Sequence, residues 1–142
     1  MSKRRVVITG LGLLSPVGNN VTESWNNIIQ GKSGVKPITS FDISEFETKF
    51  AATVDITIDD FLDKKEIRRT DPFIQYGLVA SKECIEDSLI DLEDTDLSKF
   101  GVSIGSGIGG LGTIEENKIK LAENGPKKIS PFFVPGAISN MV

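Results

Sequence analysis

Phe100-Gly101-Val102-Ser103-Ile104-Gly105 runs directly into Ser106-Gly107-Ile108-Gly109-Gly110. The first six residues read as a buried strand and the next five as a glycine-rich turn. A helix follows, with Leu111, Ile114 and Leu121 as core positions and Asn124-Gly125 as its end. Strand, glycine turn and helix in succession mark an α/β protein. The start of the chain carries the same signal. Arg5 to Leu11 is a short apolar, β-branched run closed by Gly10 and Gly12, and it also reads as a buried strand.

Between these two units the pattern predicts helices and one irregular stretch. After the turn Leu14-Ser15-Pro16-Val17-Gly18-Asn19-Asn20, a helix is expected from Thr22 or Glu23 to Gln30. Trp25, Ile28 and Ile29 share one of its faces, and Gly31 stops it. Residues 32–56 are rich in Gly, Pro, Ser and Thr and predict an irregular connection with a short strand near Ala51 to Val54. Thr57-Ile58-Asp59-Asp60 resembles a capping box opening a helix through about Arg69. Asp71-Pro72 opens a further helix, with Asp71 as cap and Ile74, Leu78, Ile85 and Leu89 as its apolar stripe. An acidic linker follows at Asp91 to Asp96. Ser130-Pro131-Phe132-Phe133-Val134-Pro135 predicts a stiff apolar loop, and Gly136 to Val142 the start of another helix. No internal repeat is visible.

The 142 residues suffice for one ordinary domain. The net charge of -4 disfavours a nucleic-acid binder, which needs surplus positive charge to displace counterions. No apolar run approaches the roughly 20 residues of a membrane helix, so no membrane insertion is expected. The apolar part of the N-terminus is too short for a signal peptide, which predicts a cytoplasmic protein. The chain has one cysteine and no histidine. It therefore holds no disulfide, no Ser-His or Cys-His pair and no histidine metal site, and a zinc site is not expected.

The glycine turns admit three readings. Gly10-Leu11-Gly12 after a strand invites a dinucleotide site, but the third glycine of that fingerprint is Ser15 and Pro16 sits where the helix should run. Gly105 to Gly112 lacks the Lys-Ser/Thr of a phosphate loop. The second reading is close backbone approach in a packed α/β core. The third is an apolar ligand channel, with Ile108 isolated among glycines on a wall otherwise free of side chains.

Several strings resemble the β-ketoacyl-acyl carrier protein synthases, most closely the type II elongating enzymes. They are Arg4 to Gly12, Leu14-Ser15-Pro16-Val17-Gly18, Phe73-Ile74-Gln75-Tyr76-Gly77, Ile104 to Gly112, and Gly125-Pro126 through Pro135. They stand in the family's order and spacing. The resemblance implies a thiolase-like layered α-β-α-β-α fold built from two similar α/β halves, with residues 1–142 forming part of the N-terminal half. It implies a homodimer that needs no cofactor or metal. The reaction it implies is decarboxylative condensation of a fatty-acyl thioester with malonyl-acyl carrier protein, yielding a β-ketoacyl chain two carbons longer. The nucleophilic cysteine, two histidines and a lysine of the family are expected beyond Val142, so no catalytic residue is assigned within the chain. The alternatives are a non-catalytic interaction remnant of a split or decayed synthase and a nucleotide-binding α/β domain.

Cys84 does not take the nucleophile's place. It lies in mid-helix at a packing position, where a free cysteine behaves as a small hydrophobe. Lys64, Lys65, Arg68 and Arg69 are spaced to share one side of a helix, and Lys127-Lys128 form a second basic pair. A solvated face is the plain explanation. The resemblance implies docking of the acidic recognition helix of acyl carrier protein. It also implies that Gly107, Ile108 and Leu111 line the acyl channel and that Phe133 reaches across the dimer interface towards the partner subunit's channel. Simple core packing is the plain alternative for these.

Overall fold

The structure, a computed structural model, describes residues 3–142. The chain divides into two compact units. One holds the chain up to Ile56 together with Lys82–Leu89, and the other holds Thr57–Ser81 and Ile90–Val142.

In the first unit, helix α1 spans Val21–Ile29. Asn20 caps it, its side-chain oxygen accepting from the Glu23 amide at 2.7 Å. Glu23 reaches back to the Asn19 amide at 2.7 Å. Two donors that the first turn cannot satisfy internally are thereby satisfied. Gly31, at φ 68, closes the helix, its amide donating to the Ile28 carbonyl. Ser24 is fully buried and bonds the Gly18 carbonyl and the Ser15 hydroxyl. Strands β1 (Val35–Pro37) and β2 (Phe50–Ala52) pair antiparallel, Val35 opposite Ala52 and Pro37 opposite Phe50. They form the one sheet found among the described residues.

The N-terminal segment is held by side chains at the end of helix α3 (Pro72–Ser88), not by a ladder. The Leu11 amide donates to the Asp87 carboxylate, and the Glu83 carboxylate accepts from the Leu13 and Val21 amides, each at 2.8 Å. The Cys84 thiol donates to the Gly10 carbonyl at 3.4 Å.

In the second unit, a 3-10 turn at Ile58–Asp60 precedes α2 (Lys64–Ile67). The capping box expected at Thr57 belongs to Asp63 instead. The Asp63 carboxylate accepts from the Lys65 and Glu66 amides, and Glu66 accepts from the Asp63 amide. The returning partner must be long enough to reach the cap; Glu66 is, and Asp60 is one methylene shorter. The expected helix through Arg69 therefore shrinks to one turn. Asp71 opens α3 as expected, accepting from the Phe73 amide at 3.3 Å. Ile74 and Val79 are the buried hydrophobics, and Leu78 and Ile85 are half-buried. Leu89, expected on the same stripe, is exposed at φ 54, past the helix end. Helix α4 (Leu111–Asn124) ends at Gly125, φ 77.

Three further expectations are corrected. Residues 5–11 and 100–105 form no strand. Val6 is 93% and Ile8 82% exposed, and Val102 is exposed too. A strand exists only where a neighbour supplies the other half of the ladder, and no described residue does so for these runs. Leu111, Ile114 and Leu121 are exposed; the buried residue of α4 is Asn117. The apolar tail turns helical earlier than expected, as α5 (Phe133–Ala137), and Ile138 to Val142 are not helical. Pro135 falls in the first turn of α5, where a missing N–H costs nothing.

Candidate functional site

The second unit carries a cleft of about 430 Å³ whose walls include Arg68, Arg69, Thr113, Asn117, Lys120 and Phe132. Its floor is polar. Asp71, Gln75 and Asn117 are all buried, and each is hydrogen-bonded. The Asp71 Oδ2 accepts from the Thr113 hydroxyl at 2.7 Å and the Thr113 amide at 3.2 Å. The Gln75 side-chain amide donates to the Thr70 carbonyl at 2.8 Å and the Ile67 carbonyl at 3.2 Å. Ile67 is the last residue of α2, whose carbonyl has no partner within the helix, and Thr70 lies three residues beyond it. Asn117 donates to the Thr113 carbonyl at 2.8 Å and accepts from the Ser130 amide at 2.9 Å. No buried side-chain polar atom among the described residues lacks a partner.

Lys64, Lys65, Arg68 and Arg69 are exposed, on and just after the one-turn helix. Lys64 and Lys65 stand in α2, Arg68 is its cap, and the Arg69 guanidinium lies over the Phe132 ring, 5.0 Å from its centroid. Lys127 and Lys128 are exposed on the 3-10 turn Pro126–Lys128. None of the six joins an ion pair among the described residues, where the pairs are Lys36–Asp55, Lys99–Asp96 and Lys120–Glu116.

Gly107 has open space where a side chain would stand, Ile108 is 72% exposed, and Leu111 is exposed; Phe133 is half-buried. None of the four is a core residue. The following glycines differ. A side chain on Gly109, at φ 80, would meet the Ala137 carbonyl oxygen at 2.5 Å, and one on Gly110 the Gly136 carbonyl oxygen at 2.7 Å. The Gly110 amide donates to the Ala137 carbonyl at 3.0 Å. The turn is thus docked on the segment that leaves α5, and backbone approach accounts for Gly109 and Gly110. The polar floor was not anticipated from sequence. Its signal is present, since Thr113 and Asn117 are one helical turn apart on the face that also carries Gly110.

Cys84 is half-buried within α3 and serves as a donor to backbone. Among the described residues no cluster of His, Cys, Asp or Glu is arranged to hold a metal ion, and no helix is long and apolar enough to cross a membrane.

The chain has part of the thiolase-like α/β fold of the ketosynthases. The chain superposes on the ishigamide ketosynthase/chain length factor with a TM-score of 0.77 at 24% identity, covering 96% of this chain and 34% of that one. It also matches a type II polyketide synthase acyl-carrier protein in complex with its ketosynthase bound to the hexaketide. There the TM-score is 0.70 at 25% identity, with 96% and 35% of the two chains covered. The beta-ketoacyl synthase N-terminal domain model matches residues 3–142, and the chain belongs to that family. It is 53% identical over 142 residues to a 3-oxoacyl-(acyl-carrier-protein) synthase 2 of Coxiella burnetii (strain RSA 493 / Nine Mile phase I), across 99% of this chain and 34% of the relative. A synthase 2 of Vibrio harveyi is 49% identical over 143 residues, across 100% of this chain and 34% of the relative. The chain thus spans about a third of the length of these curated relatives.

Proposed function

We propose that this chain is the N-terminal portion of an elongating 3-oxoacyl-acyl carrier protein synthase of the cytoplasm. In this reading it supplies carrier docking, one wall of the acyl channel and part of a homodimer surface. The carrying observation is the set of exposed basic side chains, Lys64, Lys65, Arg68, Lys127 and Lys128, which join no ion pair among the described residues. On a chain of net charge -4, cations left free in this way suit a small acidic partner. The exposure of Ile108 and the open space at Gly107 favour a pocket wall over core filling. In the same reading the half-buried Phe133 belongs to the dimer surface and reaches towards the partner subunit's channel.

The condensation needs a thiolate to hold the acyl chain and donors to stabilise the thioester oxyanion as carbon dioxide leaves. With no histidine, and with its one thiol bonded to a backbone carbonyl within a helix, the chain does not carry that covalent step itself. The 142 residues assayed alone are expected to release no carbon dioxide from malonyl-acyl carrier protein in an acyl-primed assay. Turnover that Cys84→Ser abolishes would refute this.

Docking is tested in the full-length synthase carrying this chain. Lys65→Glu combined with Arg68→Glu is expected to weaken carrier affinity by about tenfold or more, since each lost close charge pair costs on the order of 1 kcal/mol. The loss shrinks as salt rises. Titration by calorimetry at low and high salt reads both, and unchanged low-salt affinity removes the docking assignment.

A further inference from the structure

Asp71 sits where three parts of the second unit meet. The residue is 8% exposed and lies at the start of α3, two residues after Arg69. One carboxylate oxygen takes both donors of Thr113 in the first turn of α4, and the other accepts from the Phe73 amide. A side chain at Gly110 would meet Asp71 Oδ2 at 2.9 Å while meeting the Gly136 carbonyl oxygen at 2.7 Å. The glycine turn is therefore gripped from two sides. The Asp71 carboxylate holds one side, and the backbone leaving α5 holds the other. The backbone at Gly136 in turn lies close to the Arg69 carbonyl, which a side chain on Gly136 would meet at 3.3 Å.

We infer that Asp71 is a positioning residue for acyl-chain selectivity: through Thr113 and Gly110 it fixes where the Gly107-Ile108 turn stands against the backbone of Gly136 and Ala137. The inference rests on the reading of Ile108 as a pocket-lining residue. An acyl chain is discriminated by where a wall side chain ends, and small displacements of a wall change that discrimination steeply. Gly107 and Ile108 have little packing of their own to hold them. Their position is set by the residues that follow, and Asp71 is the side chain that anchors those.

The chemistry of the pair supplies the test. A carboxylate has two acceptor oxygens and an amide has one. Asp71→Asn keeps the shape of the side chain but cannot accept from both Thr113 and Phe73. Thr113→Val removes the hydroxyl donor at constant volume, and Thr113→Ser restores it. In the full-length synthase carrying this chain, kcat/KM is measured for short and long acyl-carrier substrates, with carrier affinity and a melting curve for each variant. Asp71→Asn and Thr113→Val are each expected to change the long-to-short ratio by about tenfold, with carrier affinity unchanged and Thr113→Ser close to the parent. A ratio unchanged in both variants while the melting temperature falls assigns Asp71 a structural role only and overturns the inference. Weakened carrier affinity with an unchanged ratio also overturns it, placing Asp71 in the docking surface. Ile108→Trp serves as the reference. If it alters the ratio and Asp71→Asn does not, the pocket reading stands and the inference fails. If Ile108→Trp leaves the ratio unaltered, the pocket reading fails and the inference with it.

Discussion

Replacing Gly10 by alanine is expected to detach the N-terminal segment from α3. The new methyl group would lie 2.2 Å from the Cys84 carbonyl oxygen, 2.7 Å from the Ser88 nitrogen and 2.8 Å from the Ser88 Cβ. Two of these are helix backbone atoms, which cannot swing aside as a side-chain tip does. The three amide-to-carboxylate bonds at Leu11, Leu13 and Val21 depend on the same approach. Overpacking a tight site usually costs about 1–3 kcal/mol, and loss of the neighbouring charge-assisted bonds adds to it. A penalty of about 3 kcal/mol is a large share of the stability of an ordinary domain. The urea midpoint of the chain should fall, and Cys84 should become more reactive towards a maleimide as its Gly10 partner departs. An unchanged midpoint together with unchanged labelling would show that Gly10 is not packed on the helix.

Gly109→Ala should be nearly as damaging, for a different reason. Gly109 has φ 80, a region where a Cβ costs roughly 1–2 kcal/mol, and that Cβ would stand 2.5 Å from the Ala137 carbonyl oxygen. Strain and collision together give a loss of about 3 kcal/mol. Gly107→Ala is the internal comparison. A side chain there meets nothing within 4 Å and the backbone is not left-handed, so its midpoint should stay within about 0.5 kcal/mol of the parent. Equal losses at both positions would mean that the turn responds to any added methyl group and that docking on Ala137 is not its basis.

Local chemistry was legible in the sequence wherever the interaction is local. The stop of α1 at Gly31, the opening of α3 at Asp71-Pro72 and the end of α4 at Gly125 each depend on residues within one turn of each other, and each stands where composition places it. The family strings fixed the family for the same reason, because they preserve order and spacing along nearly the whole chain. The runs at 5–11 and 100–105 carry strand composition, but a strand is a property of a pair, and no described residue completes either ladder. In the candidate site the six basic residues were legible as exposed cations. The length of the helix beside them was not, because it depended on which aspartate caps it. The polar floor stayed hidden for a further reason. Amphipathic reasoning assigns the inward face to Leu111, Ile114 and Leu121, whereas Thr113 and Asn117 face inward because Asp71 and Ser130 satisfy them there.

The way the first unit is fastened has a bearing on synthesis. Gly10, Leu11, Leu13 and Val21 are held by the side chains of Glu83, Cys84 and Asp87, between 62 and 76 residues further along the chain. At ribosomal speeds of about 5–20 residues per second, a span of 76 residues takes about 4–15 s to translate. For that interval Gly10, Leu11 and Leu13 lack the partners that later hold them, long enough for a chaperone that recognises short aliphatic β-branched peptides to engage the neighbouring Val6-Val7-Ile8. The N-terminal segment is in this sense made early and installed late, and slowing elongation between codons 13 and 87 would lengthen its dependence on such a holder.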